Sequence, residues 1–144
     1  MPPSPVNQPP HKSLVIVDDD VAYTGLLTQL LEEHLDCQVF SFSCPREALA
    51  ALPKLDAGVI VTDYEMPGLN GFEFMALAAG QAPEAPFILI TGHPINDYMK
   101  RMIGTSPVKA VVPKPFSWQQ LTDEIARIWP ETGASLIKAR PASV

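Results

Sequence analysis

An α/β fold with one open, five-stranded parallel sheet and helices on both faces is predicted by three features of the sequence. Short continuous apolar runs recur along the chain: Leu14–Val17, Gly58–Val61, Phe87–Ile90 and Ala110–Val112. Amphipathic stretches of helical period separate them. The apolar runs are followed by residues that carry chemistry: Asp18-Asp19-Asp20, Asp63, Thr91-Gly92 and, after Pro113, Lys114.

Strand 1 is Leu14-Val15-Ile16-Val17, an unbroken apolar run as expected of a parallel strand buried on both faces. Helix 1 follows at about 21–34. Strand 2, Gln38-Val39-Phe40-Ser41-Phe42, alternates and so reads as an edge with one face less buried. Helix 2 is expected at about 45–52, strand 3 at Gly58-Val59-Ile60-Val61 and helix 3 at about 71–80. Strand 4 is Phe87-Ile88-Leu89-Ile90, helix 4 about 95–103, strand 5 Ala110-Val111-Val112 and helix 5 about 117–129. Trp118, Leu121, Ile125 and Ile128 form one stripe on that last helix. Right-handed crossovers reduce the topologies to a doubly wound strand order such as 2-1-3-4-5. The domain spans about 13–129. A Pro-rich arm (1–12, with five prolines) precedes it, and a tail without strong periodicity (130–144) follows Pro130.

A chain of 144 residues, 47% of them hydrophobic, suits one domain with a single packed core. The formal net charge of −6 argues against a nucleic-acid-binding surface, which needs clustered Lys and Arg. Cys37 and Cys44 do not form a disulfide framework. An extended path between them spans roughly 23 Å, against the roughly 7 Å that a disulfide allows. Two free thiols in a reducing cytosol are expected. No apolar run approaches the length of a membrane span, and the N-terminus lacks the apolar stretch of a signal peptide.

In open α/β sheets, sites form outside the carboxyl ends of the strands, where the strand order reverses. For the order 2-1-3-4-5 that point lies between strands 1 and 3, where the aspartates are. Sequence separations of 45, 28 and 23 residues (Asp18 to Asp63 to Thr91 to Lys114) then collapse into one pocket holding carboxylates, a hydroxyl and an ammonium. Crowded carboxylates repel one another unless a cation is present. Oxygen ligands without His or Cys favour Mg²⁺ or Mn²⁺. With the charge offset, a carboxylate can attack a phosphoryl group while lysine and hydroxyl stabilise its oxygens. Taken singly, each part has a plainer reading: Asp20 as a helix cap, Asp63 as a structural loop residue, Thr91-Gly92 as turn chemistry. Their joint placement at four strand ends is what points to an aspartyl-phosphate site.

At these residues the sequence resembles the receiver domain of two-component response regulators. The segments that carry the resemblance are Leu14–Asp20, Val61–Gly71 (VTDYEMPGLNG), Ile88–His93 (ILITGH) and Lys114-Pro115-Phe116, in order and over about 13–129. The Thr-Gly-His segment looks most like receivers of the nitrogen-fixation regulator type. The resemblance implies a flavodoxin-like (βα)5 fold and a role for each position. Asp63 would be the phosphoacceptor. Asp19 and Asp63 would bind Mg²⁺ (or Mn²⁺) directly, with the backbone carbonyl of Glu65, while Asp18 acts largely through water. Lys114 and Thr91 would contact the phosphoryl group, Thr91 swinging inward as part of a switch. The Lys114–Pro115 bond would be cis. It further implies a histidine kinase or histidine phosphotransfer protein as donor and a cytoplasmic location. Output would pass through helix 4, strand 5 and helix 5 to another protein or through a homodimer, with no direct contact to nucleic acid or membrane. Enzymatic turnover would be confined to self-phosphorylation from small donors and autodephosphorylation.

Two departures stand out. The family's usual Tyr or Phe three residues before the lysine is Val111 here, and Pro113 directly precedes the lysine. The usual coupling of threonine movement to rotation of an aromatic ring therefore lacks its ring, and helix 4 becomes the candidate output surface; its apolar stripe (Ile95, Tyr98, Met99, Met102, Ile103) reads for the most part as the face packed on the sheet, with Tyr98 and the methionines flanking Lys100 and Arg101. About 15 residues follow helix 5, too few for a helix-turn-helix unit. Two other readings compete. A phosphatase of the haloacid dehalogenase type also opens on Asp-x-Asp, but needs a further acidic pair after another strand, whereas Asp123-Glu124 sit on the last helix. A receiver-like docking module that takes no phosphate would not need the full acidic, hydroxyl and lysine set. Flavin mononucleotide binding suits the topology, but the aspartates would repel its phosphate.

Overall fold

The computed structural model describes residues 10–82, 84–132 and 135–138; most of the N-terminal arm and the end of the tail lie outside the described residues. The elements run β1 (Ser13–Val17), α1 (Val21–His34), β2 (Val39–Phe42), α2 (Pro45–Ala51), a 3₁₀ turn (Leu52–Lys54), β3 (Ala57–Asp63), α3 (Gly71–Ala78), β4 (Phe87–Thr91), α4 (Asp97–Thr105), β5 (Val108–Pro113) and α5 (Trp118–Ile128). All strand pairs are parallel and the sheet order is β2-β1-β3-β4-β5, as predicted.

The unbroken apolar runs are explained by a core on each side of the sheet. Because successive side chains point to opposite faces, Val15, Val17, Ile60, Phe87 and Leu89 pack with residues of α2, α3 and α4, including Ala48, Phe74, Met75 and Met99. Their neighbours Leu14, Ile16, Val59, Val61, Ile88 and Ile90 pack with Leu27 and Leu31 of α1 and Leu121 and Ile125 of α5. On β2 no residue is fully buried, consistent with its place at the edge.

The boundaries move where local chemistry competes with the apolar pattern. Helix α4 starts at Asp97 because Asn96 caps it, its side chain accepting from the Met99 N–H at 2.8 Å. Ile95 therefore precedes the helix instead of sitting on its stripe, and is 38% exposed. Of the other expected stripe residues, Met99 is buried, Met102 and Ile103 are half-buried, and Tyr98 is exposed. Helix α2 tightens into a 3₁₀ turn at Leu52–Lys54, around Pro53, which has no N–H to continue the α-helical bonding.

The segment after α5 folds back onto the domain. Leu136 is buried, Ile137 forms an isolated antiparallel bridge with Leu35, and the Lys138 N–H donates to the His34 carbonyl at 2.9 Å. Nearby, Glu131 accepts from the backbone N–H groups of His11 and Lys12, at 2.9 and 2.7 Å, and from the Trp129 indole at 3.3 Å. The Trp129 ring lies against Gly58, where an added Cβ would come within 2.8 Å of it.

Candidate acceptor site

The three aspartates after β1 have three different surroundings. Asp18 is buried, and its Oδ1 accepts from the Asp20 N–H at 3.0 Å. Asp19 is exposed. Asp20 caps α1, accepting from the Tyr23 N–H at 3.0 Å. Asp63, the last residue of β3, is buried, and the Lys114 ammonium donates to its Oδ2 at 3.2 Å. Helix α3 comes close behind it because position 71 is glycine: a Cβ there would lie 2.9 Å from the Asp63 carbonyl oxygen and from Leu89. The turn between passes through Gly68 at φ 87°, in the left-handed region. The Lys114–Pro115 peptide is cis.

Asp18, Asp19 and Asp63 each offer an oxygen, and the three lie within 4.8 Å of one another. The surrounding cavity, about 640 Å³, is lined by these residues with Glu65, Asn70 and Lys114 among others. Burial pushes the Asp18 carboxyl above the ordinary carboxylate range, and the charge of Asp63 adds to this. Burial likewise pushes Asp63 up, against the opposing pull of Lys114. A second cavity of about 510 Å³ opens on the other side of Lys114, walled by Tyr23, Pro115 and Phe116. Burial there, with the nearby aspartates, pushes the Tyr23 hydroxyl up to about 12. The acidic trio fits a hard divalent cation: carboxylate oxygens converge from two strand ends, and two of the carboxyls are held at a cost that a positive charge would relieve.

The remaining expected residues divide. Glu65 lines the cavity, but its side chain turns outward, and its Oε1 lies 2.8 Å from Nε2 of His93. Thr91 is buried, yet its hydroxyl accepts from the His93 N–H at 3.0 Å and donates to the His93 carbonyl at 3.4 Å. Val111 is half-buried and packs on the α2–α3–α4 side of the sheet. The acidic pair Asp123-Glu124 lies on α5, where Glu124 pairs with Arg127.

The Glu65–His93 contact is absent from the sequence reading, in which His93 enters only as the last residue of the Thr-Gly-His segment. The signal for it is positional. Strands β3 and β4 are parallel neighbours with Asp63 opposite Ile90, so the segments that carry Glu65 and His93 leave the sheet next to each other.

Comparison with known proteins agrees with this geometry. The profile of the response regulator receiver domain matches residues 14–126. The chain is 36% identical over 81 residues to the C4-dicarboxylate transport transcriptional regulatory protein DctD of Rhizobium meliloti, covering 56% of this chain and 17% of that protein. It is 35% identical over 80 residues to the transcriptional regulatory protein FixJ of Bradyrhizobium diazoefficiens, covering 56% of this chain and 38% of that one. The chain thus spans well under half the length of these relatives. Among solved structures, chemotaxis protein CheY4 of Vibrio cholerae superposes with a TM-score of 0.71 at 25% identity, covering 81% of this chain and 98% of that one. A CheY-like receiver domain protein of Methanospirillum hungatei gives 0.73, also at 25% identity, covering 81% and 91%. The fold, the acidic cluster at the switch point and the matched profile lead to one conclusion: this chain belongs to the response regulator receiver domain family of two-component signalling.

Proposed function

We propose that Asp63 accepts a phosphoryl group from a phosphohistidine on a histidine kinase or phosphotransfer protein. The observation that carries this reading is the Lys114 ammonium 3.2 Å from the Asp63 carboxylate, beside two further carboxylates within 4.8 Å. An oxygen of Asp63 attacks phosphorus, the P–N bond breaks and the imidazole nitrogen keeps the electron pair. Lys114 steadies the attacking carboxylate and then a phosphoryl oxygen. Thr91 supplies a hydroxyl to another oxygen once it leaves His93. Asp19, Asp63 and the Glu65 backbone carbonyl would hold Mg²⁺ or Mn²⁺, with Asp18 acting through water. The cation would offset the carboxylate charge and that of the incoming phosphoryl group.

The proposed unit is about 13–129, and it acts as a phosphoacceptor rather than a turnover enzyme, in the cytoplasm. Output passes to another protein, or to a second copy of this chain, through α4, β5 and α5. Among the described residues no helix is long and apolar enough to cross a membrane.

Incubation with acetyl phosphate and Mg²⁺, read by intact mass, tests this. One adduct of about 80 Da, the mass of a single added phosphoryl group, is expected on the wild type and none on Asp63→Asn. An adduct mapped to another residue overturns the assignment, as does steady hydrolysis of a phosphate ester.

A further inference from the structure

Taking Asp18, Asp19 and Asp63 as the metal-binding set, as proposed above, we infer that Thr24 is a positioning residue for the metal. Its hydroxyl clamps the main chain on both sides of Asp19 and so holds the acidic trio together.

Only Asp18-Asp19-Asp20 lie between the end of β1 at Val17 and the start of α1 at Val21. Thr24 closes the first turn of α1 and shares its buried face with Leu27 and Leu31. That spacing marks the core-facing stripe, where an apolar residue needs no partner. Thr24 is polar and only 4% exposed, so its hydroxyl must find an acceptor. It has one proton to give. That proton faces two carbonyls, those of Asp20 at 2.6 Å and Asp18 at 3.3 Å. The bond to Asp20 alone is ordinary, since a helical threonine readily bonds the carbonyl four residues back. The contact with Asp18 is different, because it reaches out of the helix to the first residue of the turn. The two carbonyls belong to the two neighbours of Asp19.

Other bonds complete the clamp. The Asp18 N–H donates to the Phe42 carbonyl at 3.1 Å, and the Thr24 N–H to the Asp20 carbonyl at 2.9 Å. The Asp20 N–H donates to Asp18 Oδ1 at 3.0 Å, which sets the direction of that carboxylate. Asp18 is thus held from β2, from α1 and from within the turn. Asp19 is exposed, so packing does little to aim it, and its direction follows from the main chain on either side.

Asp63 enters the cavity from β3, where the sheet fixes it. Asp18 and Asp19 enter from the turn. In a slack turn, mutual repulsion would drive the carboxylates apart whenever no cation is bound. Binding would then have to draw them back together. A clamped turn keeps one oxygen of each within 4.8 Å of the others, and this preorganisation favours binding.

The experiment titrates Mg²⁺ into the full-length protein and follows amide shifts. Thr24→Val keeps the branched shape and removes the hydroxyl, and Thr24→Ser keeps the hydroxyl. Thr24→Ala makes the same test should the new methyl crowd the turn. Two controls accompany them. Thr122→Val removes another buried threonine hydroxyl, which donates to the Gln119 carbonyl of α5 at 2.9 Å. It therefore reports the loss of a helical back-bond away from the turn. Thr28→Val alters α1 one turn further on, where the buried hydroxyl has no partner among the described residues.

The clamp predicts that Thr24→Val weakens Mg²⁺ binding about tenfold, the low end for groups that orient metal ligands, because it acts through the main chain. Thr24→Ser should recover most of that loss, and both controls should bind as the wild type does. Wild-type affinity in Thr24→Val, an equal loss in Thr24→Ser or an equal loss in either control overturns the inference.

A second readout needs no metal. In chelator, hydrogen exchange of the Asp20 N–H should be faster in Thr24→Val than in wild type and unchanged in Thr28→Val. Equal protection in all three overturns the clamp. If Mg²⁺ does not bind the wild type, the metal reading fails, while the exchange measurement still decides the clamp.

Discussion

The two ends of the sheet treat carboxylates in opposite ways. At the carboxyl end of the strands, Asp18 and Asp63 are buried beside each other, with one bond from Lys114 to Asp63 and one from the Asp20 N–H to Asp18. At the other end, Glu131 accepts from two backbone N–H groups, an indole and the His11 ring. The consequence is visible in their acidities. Burial raises both aspartates. Burial works against Glu131 too, but the donors from His11, Lys12 and Trp129 outweigh it and hold that carboxyl below its ordinary range. A carboxylate surrounded by donors stabilises the fold, whereas carboxylates crowded together destabilise it and can be relieved by a cation. Stability and chemistry are thus kept at opposite ends of one sheet.

The closed end gives the largest expected effect. Leu136→Ala should cost about 2 kcal/mol, the low end for emptying a buried leucine site, since the segment can partly collapse; urea denaturation measures it. A change near zero would mean that residues 135–138 do not contribute to the closure.

The open end gives the next. Asp20→Ala should cost about 1 kcal/mol through loss of the α1 cap, yet keep its stabilisation by Mg²⁺. Asp19→Ala should cost little in chelator and lose most of that stabilisation. Thermal melts with and without Mg²⁺ separate the two, and equal metal responses would break the division of roles within the triplet.

Glu131→Gln should cost about 1 kcal/mol, the net scale of an ordinary intramolecular hydrogen bond, with no change in metal response.

The smallest effect is in the pH profile, where the two ends should pull in opposite directions. Asp18 and Asp63, raised in the fold, contribute stability that is present below the ordinary carboxylate pKa and is lost as pH rises through their folded values. Glu131, lowered in the fold, contributes stability present above the ordinary value and lost as pH falls through its folded value. In chelator, Asp63→Asn should flatten the loss on the alkaline side of that window and Glu131→Gln the loss on the acid side. The same slope in both variants would dissolve the contrast between the ends.

How far the sequence makes these ends legible differs in the same way. The strands are readable because a parallel strand buried on both faces must be apolar throughout, and Leu14–Val17 and Phe87–Ile90 are. The site is readable because chemical groups sit at the carboxyl ends of four of the five strands, so topology alone brings Asp18, Asp63 and Lys114 together. The start of α4 is misread because Ile95 continues the apolar spacing while the Asn96 cap decides the first turn. The closed end is almost invisible. Leu136-Ile137 is a single apolar pair without a period, and the bonds from Glu131 to His11 and Lys12 span more than a hundred residues. The link from Glu65 to His93 is hidden for the same reason, since it depends on strand register as well as on residue type.

The contrast between the ends turns on whether the buried acidic cluster destabilises the metal-free protein. The most direct measurement is the melting temperature of wild type and Asp63→Asn, each in chelator and in excess Mg²⁺. In chelator, Asp63→Asn should melt higher than wild type, because it removes one of two raised, mutually repelling carboxylates. Mg²⁺ should raise the wild type more than the variant. A variant that melts at or below the wild type in chelator would contradict the account.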